Sequence, residues 1–423
     1  MGGIAFGPFV IDPSASRLVR DGRAIRLRPQ AFRVLEVLVE HTGQVLSYDE
    51  LMAHAWRGVV VSHHTVDVTV AEVRKALGEY GGWLRHRSRE GYGFEVPRSS
   101  EQVRVGWHFW GLRTREGFEK ALRCFQSAAE EDPADFRVHE GQAACYMMLA
   151  AYGIGPGRDL QPAFAEALRR AERQAGNTPE LRCIRGQGLH MFERRLDEAE
   201  AEFSQALRDR PTLALAHIGM TTLYATLGRL DAALESVERA REIDPLLPAL
   251  PATEVSVRVW RREFDIAAEL GARAVALQPY VLLGRVFYAE ALEYCGRADE
   301  ALTQFHLTAT LFGDVPWLRA LEGGCLARMG RRQEAQAILD ELDSRRGTDY
   351  VDSYAMAVCR ASLGDPTGAF AELDRAVDEN CVSLYAIDVD PKADRFRADR
   401  RWVRLRTRLH APRLAVVPSS TKR

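Results

Sequence analysis

The amino-acid sequence predicts a small α+β domain followed by a long all-α array of paired helices. Short apolar runs separated by turn residues occupy the first 27 residues, which is typical of an antiparallel sheet. Apolar residues then recur at helical spacing in three segments that end near Leu77. Further along, alanine recurs every 34 residues from Ala199 to Ala369, the signature of a stacked helical repeat.

Composition narrows the class of protein. Hydrophobic residues at 46% and charged residues at 27% are typical of globular chains, and a formal net charge of −2 excludes a protein that coats nucleic acid by bulk electrostatics. The seven cysteines lack CxxC spacing, so we expect no disulfide framework, metal site or cofactor. Neither a secretion signal nor an apolar run of ~20 residues is visible. We therefore expect a cytoplasmic protein without a membrane anchor.

The first domain is predicted to open with strands at residues 6–11, 17–20 and 24–27, the last two joined by an Asp21-Gly22 hairpin turn. A first helix should begin at Pro29 and end near Gly43. A second helix follows Ser47, which forms a capping box with Glu50, and ends near residue 58.

The third helix is predicted to begin after Ser62 and to end at Gly78. Its core-facing residues are Val66, Val70, Val73 and Leu77. Its opposite face carries His64, Val68, Ala71 and Lys75. Two strands within residues 83–96 then form a hairpin whose turn is rich in cations. A helix and a basic hairpin in this order form a winged helix-turn-helix, in which the helix enters the major groove and the hairpin reaches the neighbouring groove or backbone.

Residues 4–97 resemble the OmpR/PhoB-type winged-helix family, through the segments "IRLRPQAFRVLEVLVEHTGQVLSYDELMAHAW", "HTVDVTVAEVRKAL" and "REGYGF". The resemblance implies that residues 62–77 are the recognition helix. The implied DNA contacts are His64, Thr65, Thr69, Arg74 and Lys75 on this helix, and His86, Arg87 and Arg89 on the wing. The segment Arg57, Gly58, Val59, Val60 and Val61 resembles the loop with which this family contacts RNA polymerase.

The sequence departs from this family at Ala71 and Glu72, where arginine is frequent. The recognition helix therefore carries fewer groups that can hydrogen-bond to base edges. We expect its specificity to depend on apolar contacts to thymine methyl groups or on DNA shape.

The repeated segment has landmarks beyond alanine. Glycine recurs with the same period at residues 228, 296, 330 and 364, with Arg262 in the vacant position, and proline recurs at residues 211, 245 and 279. Small, aromatic, small and proline landmarks at this spacing resemble the tetratricopeptide repeat, a pair of antiparallel helices. We count about eight units within residues 103–377, interrupted by a ten-residue insertion before Ala165 that is marked by Gly153, Gly155, Pro156, Gly157 and Pro162.

The resulting organisation is a winged-helix domain at residues 1–98, the array at 103–377, a capping segment at 378–411 and a disordered tail at 412–423. In the capping segment, Phe396, Trp402 and Leu405 should cover the last apolar face of the array. Five aromatic residues are expected to pack between repeats more often than to line a groove: Tyr146, Tyr224, Tyr288, Trp260 and Trp317.

Two functions remain open. No phosphate-binding loop, HExxH or GxSxG motif is present, so an enzyme is not expected. The first hypothesis is a sequence-specific regulator of transcription that binds double-stranded DNA. It would be an activator and a homodimer that contacts RNA polymerase, with a protein, peptide or small molecule bound in the repeat groove. The domain order resembles soluble relatives of CadC-like and HilA-like activators. The alternative is a repeat scaffold whose winged helix contacts proteins. Ala71 and Glu72 favour this alternative slightly, whereas the basic wing and Lys75 favour DNA more strongly.

Overall fold

Two kinds of architecture follow each other along the chain. The computed structural model describes residues 4–6, 9–12, 15–20, 23–56, 59, 61–87, 90–95 and 99–410. They belong to two compact units, Met1–Val105 with Ser127–Pro133 and Gly106–Gln126 with Ala134–Arg423. The first unit contains all seven described strands and the second is helical, which confirms the predicted fold class.

The chain opens with an antiparallel four-stranded sheet in the order β1-β2-β3-β4. Its strands are Ile4–Phe6, Phe9–Asp12, Arg17–Arg20 and Arg23–Ile25. The prediction of a single strand over residues 6–11 is wrong, because the sequence folds back on itself and Phe6 pairs with Phe9. Strands β3 and β4 pair with Arg20 opposite Arg23, which agrees with a hairpin between them. The predicted turn residues Asp21 and Gly22 themselves lie outside the described residues.

Three helices form the body of the first domain: α1 at Pro29–Glu40, α2 at Tyr48–Trp56 and α3 at His63–Leu77. The capping box is present, since the Ser47 backbone N–H donates to Glu50 at 2.8 Å and the Glu50 N–H donates to the Ser47 hydroxyl at 3.2 Å. The four apolar residues predicted for the inner face of α3 are all fully buried. The helix periodicity was therefore sufficient to orient α3.

The wing consists of β6 at Leu84–Arg87 and β7 at Gly91–Phe94. A short strand that the sequence did not predict, β5 at Val45–Leu46, pairs with β7 and completes a sheet in the order β5-β7-β6. Gly91 has φ +132°, and a Cβ there would lie 2.0 Å from the Leu46 carbonyl oxygen. Glycine is required at this position because the two strands approach so closely.

The remaining described α-helices are numbered α4 to α21 in chain order. The first sixteen make eight antiparallel pairs, α4 with α5 through α18 with α19, and two short helices follow. The pairs are Ser99–Gly111 with Arg115–Glu131, Phe136–Ala151 with Gly157–Ala175, Pro179–Gly188 with Leu196–Asp209, Ala214–Thr226 with Leu230–Ile243, Leu250–Trp260 with Phe264–Leu277, Leu282–Tyr294 with Ala298–Phe312, Pro316–Arg328 with Arg332–Arg345, and Ser353–Ser362 with Pro366–Asp378. The short helices are α20 at Asp394–Arg397 and α21 at Arg401–Leu409.

The periodic glycines follow the first helix of four of the eight pairs. A left-handed backbone conformation, with φ between +70° and +84°, occurs at Gly228, Gly296, Gly330 and Gly364. In two other pairs an arginine occupies the equivalent position: Arg194 with φ +56° and Arg262 with φ +65°. A left-handed conformation costs a residue other than glycine about 1–2 kcal/mol. Both arginines reach the capping segment, where Arg262 donates to the Val389 carbonyl at 2.9 Å and Arg194 to the Cys381 carbonyl at 3.4 Å. These contacts offset the backbone cost.

The ten-residue insertion shapes the turn between α6 and α7. Pro162 was predicted to belong to it but lies within α7. The buried residues of α7 include Phe164, Leu168 and Ala171, whereas Ala165 is only half-buried. The 34-residue register is therefore displaced by one residue here, and Ala165 is not the counterpart of Ala199.

The capping segment behaves as predicted at its end. Phe396, Trp402 and Leu405 are buried and pack with Phe370 and Tyr354 from the last pair, so they cover the final apolar face. Residues 412–423 lie outside the described part of the chain. Among the residues that are described, no helix is both long and apolar enough to span a bilayer.

Candidate nucleic-acid interface

The outer face of α3 is exposed as the sequence predicted. The residues of this face, His64, Val68, Ala71 and Lys75, are all exposed, and Val68 is 47% exposed. Thr65 is also exposed, and its hydroxyl lies 3.0 Å from the Ser62 hydroxyl at the helix N-terminus. The face therefore offers hydroxyl, imidazole and ammonium groups beside a small apolar surface.

Both carboxylates of α3, those of Asp67 and Glu72, accept hydrogen bonds from other side chains of the domain. Asp67 accepts hydrogen bonds from the hydroxyls of Tyr48 and Tyr92, each at 2.7 Å, and the tyrosine donors hold the pKa of the Asp67 carboxyl below its usual value. Glu72 is paired with Arg28, whose Nε lies 2.6 Å from the carboxylate and whose guanidinium holds the pKa of Glu72 below its usual value. Glu72 is thus neutralised by Arg28, whereas Asp67 keeps its negative charge and is held in place by two neutral hydroxyls.

Two of the predicted contacts on α3 have structural tasks. Thr69 is buried, and its hydroxyl donates to the Thr65 carbonyl at 2.7 Å. The half-buried Arg74 guanidinium donates twice to the Leu84 carbonyl, from Nε at 3.1 Å and from Nη2 at 2.8 Å. Burial of Thr69 in the core argues against its predicted DNA contact. Arg74 fastens the wing to the recognition helix, and its predicted DNA contact stays a prediction.

The wing presents exposed basic residues. His86 and Arg87 are both exposed, and Arg87 forms only a long contact of 3.4 Å with Glu95. Arg85, which was not among the predicted contacts, lies 3.7 Å from the same carboxylate and is equally exposed. Arg89 lies outside the described residues. Two arginines therefore share the Glu95 carboxylate, and Glu90 is a second, exposed carboxylate of the described wing, so the formal charges of its arginines and acids balance.

Of the predicted polymerase-contact loop, the structure describes only Val59 and Val61. Val59 is 62% exposed and Val61 is half-buried. Arg57, Gly58 and Val60 lie outside the described residues. Among the described residues of this loop, the exposed Val59 is the one that a substitution can test.

Sequence reasoning missed the residues that hold the interface together. Tyr48 stacks on His63 with ring centroids 4.3 Å apart, and its hydroxyl lies 3.3 Å from His86 on the wing. Together with Tyr92 and Asp67 it links α2, α3 and the wing. Tyr92 has a recognisable signal, since it occupies the quoted "REGYGF" motif, but no spacing pattern relates it to Asp67, 25 residues earlier.

We expect Asp67→Ala to weaken this link. Two tyrosine hydroxyls lose their acceptor, so the free energy of unfolding of the domain should fall by about 1–3 kcal/mol. Because the folded-state pKa of Asp67 is lowered, its contribution is present above the unfolded value and is lost as the pH falls through the folded one. Urea unfolding at pH 7 and pH 3 checks this: the difference between wild type and Asp67→Ala should shrink at pH 3. An equal difference at both pH values would contradict it.

The repeat array encloses a second candidate site. Residues 380–394 run through its interior, where Tyr385 contacts the rings of His190 and Trp260 and Asn380 donates to the Phe192 carbonyl at 2.9 Å. A cavity of about 290 Å³ remains. All five aromatic residues belong to the core or pack against it, as expected, and Trp260 and Trp317 also line the cavity.

Comparison with known proteins places the likeness in the first domain. Residues 22–94 match the family described as "Transcriptional regulatory protein, C terminal". The transcriptional activator CadC of Escherichia coli (strain K12) is 34% identical over 74 residues, which are 18% of this chain and 14% of CadC. The phosphate regulon regulatory protein PhoB of Pseudomonas aeruginosa is 32% identical over 95 residues, 22% of this chain and 42% of PhoB. The matches thus span less than half of either relative.

Two solved structures cover different parts of the chain. The DNA-binding domain of E. coli CadC has 29% identity and a TM-score of 0.22, over 23% of this chain and 94% of that domain. A tetratricopeptide repeat protein from Parabacteroides merdae has 12% identity and a TM-score of 0.42, over 63% of this chain and 98% of that protein. The family match at residues 22–94 and the two described sheets identify the first domain as an OmpR/PhoB-type winged helix, and the paired helices that follow form a tetratricopeptide-repeat array.

Proposed function

We propose that this protein is a sequence-specific regulator of transcription that binds double-stranded DNA through its winged helix. In this proposal α3 enters the major groove with His64, Thr65 and Lys75, and the wing places His86 and Arg87 on the adjacent backbone. Val68 and Ala71 would contact thymine methyl groups. Arg89 is included in the proposed wing contact because of its position in the sequence.

The observation that carries the proposal is that the two acidic residues of α3 bind partners within the domain. Asp67 and Glu72 are engaged within the domain, and the exposed residues of the outer face described above include no acid. Glu72, which from sequence alone favoured the scaffold alternative, has Arg28 as its partner. The feature that favoured a protein-binding role is therefore explained by packing within the domain.

Lys75→Ala and Arg87→Ala should each weaken binding of the full-length protein to a mixed-sequence duplex. Each substitution removes one phosphate contact, so the slope of log affinity against log salt should become shallower by about 1. Fluorescence anisotropy over a salt series measures this slope. Arg17→Ala is the matched control, because Arg17 is an exposed cation of the same domain, 57% exposed, that pairs with Asp12. Unchanged slopes for both interface variants would show that DNA binds elsewhere.

The proposal extends to activation through RNA polymerase at the loop around Val59, and one of the related proteins is named an activator. Val59→Asp should leave DNA affinity within about twofold of wild type, because the backbone contacts that dominate affinity lie on other elements. Transcription in vitro from a promoter that carries a bound site should fall severalfold. Full activation by this variant would remove the loop from the proposed polymerase contact.

Three further roles belong to the same proposal. The repeat array acts as sensor or interaction module and has no catalytic task. The regulator binds as a homodimer to two half-sites, one helical turn apart. It works in the cytoplasm, because a regulator of this kind needs access to chromosomal DNA. Failure of the protein to bind any duplex would favour the alternative, a repeat scaffold whose winged helix contacts proteins.

A further inference from the structure

The cavity of the repeat array contains a charge without a counter-ion. Arg113, in the turn between α4 and α5, lines this cavity of about 290 Å³ and is only 6% exposed. Burying an ionised group is costly unless it is paired. The surroundings of Arg113 therefore indicate what the cavity is built to hold.

The partners of the Arg113 guanidinium carry no full negative charge. Its Nη1 donates to the Met148 sulfur at 3.0 Å, and its carbon lies 3.8 Å from the centre of the Trp110 ring. Its Nε has no hydrogen-bond partner among the described residues, and neither has the Trp110 indole nitrogen. Burial lowers the pKa of Arg113, and among the described residues the group that opposes this is the Tyr152 hydroxyl. A thioether and an indole ring do not neutralise a guanidinium.

The other charged groups of the cavity lining are one cation, Lys392, and five acids: Glu140, Glu180, Glu290, Asp352 and Asp390. The Lys392 ammonium lies 2.7 Å from Glu290 and 3.2 Å from Asp390, and Asp390 also accepts from the Tyr354 hydroxyl at 2.8 Å. Asp352 accepts from the Cys381 thiol at 2.8 Å. Donors of the protein therefore reach Glu290, Asp390 and Asp352, although one oxygen of Glu290 has no hydrogen-bond partner among the described residues. None of the acids is among the groups that raise the pKa of Arg113. Arg113 is the cation of the described cavity lining for which no acid is in place.

The rest of the cavity is mostly apolar and aromatic. Its walls include Trp107, Trp110, Met148, Trp260, Phe287 and Trp317. Such walls bind flat rings or acyl chains by burial of apolar surface. The volume is near the lower end of the range for small-molecule sites, which is too little for a folded peptide segment.

We propose that the array binds a small amphipathic carboxylate in this cavity, with the carboxylate on Arg113 and an aromatic or aliphatic body against the tryptophans. A guanidinium presents paired N–H donors that match the two oxygens of a carboxylate. The ligand also supplies the missing negative charge, so binding converts an unfavourable buried cation into an ion pair. The site itself stands independently of DNA binding, and only its role as the regulatory signal rests on the proposed function.

Calorimetric titration of the full-length protein with two matched pairs tests the proposal: naphthoate against naphthylmethanol, and decanoate against decanol. Within at least one pair the acid should bind tenfold or more tightly than the alcohol, as a charged hydrogen bond is worth roughly 1.5–3 kcal/mol. Arg113→Met should abolish the preference and Arg113→Lys should retain it. Arg239→Met, at an arginine whose side chain is 67% exposed, should leave it unchanged.

A thermal melt of the ligand-free variants gives a second readout. Arg113→Met removes an unpaired buried charge, so its melting temperature should equal or exceed that of wild type. Equal binding of acid and alcohol in both pairs, no binding of either acid, or a preference that persists in Arg113→Met would each overturn the proposal. DNA affinity measured on the same samples separates the two proposals, since loss of DNA binding with intact acid binding counts against the regulator alone.

Discussion

Lys392→Met is expected to lower the free energy of unfolding of the repeat array by about 3–5 kcal/mol, the usual cost of removing one partner from a buried ion pair. The side chains of Lys392 and Glu290 are 9% and 4% exposed, and Asp390 shares the ammonium. The substitution leaves two buried carboxylates without a cation. It also releases the capping segment from α14, which carries Glu290.

The loss should depend on pH. Burial already raises the pKa of Glu290, and without Lys392 the raised value rises further. A carboxyl whose folded-state pKa is raised destabilises the fold increasingly as the pH increases from its unfolded pKa of about 4.3. Urea unfolding should therefore show a small deficit near pH 4 and the full deficit near pH 8.

Two further variants make this test specific. Lys120→Met removes a lysine that is 42% exposed and should change the unfolding free energy by less than about 1 kcal/mol. Adding Glu290→Gln to Lys392→Met should recover part of the loss, because one uncompensated charge disappears. A deficit that is the same at pH 4 and pH 8 would show that the lysine acts through packing and not through charge.

Phe203→Ala should have an effect of similar size. Phe203 on α9 is fully buried, and its ring fills the space above two glycines of neighbouring helices. A Cβ on Gly186 would lie 2.9 Å from the ring and one on Gly219 only 2.4 Å. Truncation of a buried phenylalanine costs about 3–5 kcal/mol, which circular dichroism during urea unfolding would measure. The exposed residue Val403, 71% exposed on α21, provides the control substitution Val403→Ala.

A double-mutant cycle tests whether the ring explains the glycine. Gly219→Ala alone should be destabilising by about 1–3 kcal/mol through overpacking, although alanine favours the helix by about 1 kcal/mol. In the Phe203→Ala background the new methyl group has room, so the same change should be neutral or stabilising. Equal effects of Gly219→Ala in both backgrounds would mean that the two residues do not share this space.

Most of the fold followed from periodicity. Spacing alone oriented α3, placed the capping box at Ser47 and set the phase of the repeats, because each depends on residues close together in sequence. The errors arose where the local structure depends on contacts between residues that are far apart in the sequence. The strand β5 exists because Val45 and Leu46 pair with β7, and the register of α7 is displaced by the neighbouring insertion. Neither effect has a local signal.

The candidate interface was predictable in outline but not in detail. Exposure of His64 and Lys75 follows from the helix period. The family resemblance implied a DNA contact from Arg74, whereas in the structure its guanidinium donates to the Leu84 carbonyl of the wing. The unpaired charge at Arg113 could not be predicted at all, since it depends on which side chains of separate helices surround it.

Selection of bound duplexes from a random DNA library by the full-length protein tests the central claim most directly. We predict enrichment of a defined motif, repeated at about one helical turn, and loss of that enrichment when Lys75 and Arg87 are both replaced by alanine. A bound pool without any enriched sequence at moderate salt would contradict sequence-specific recognition and would direct attention to protein partners of the winged helix and the repeats.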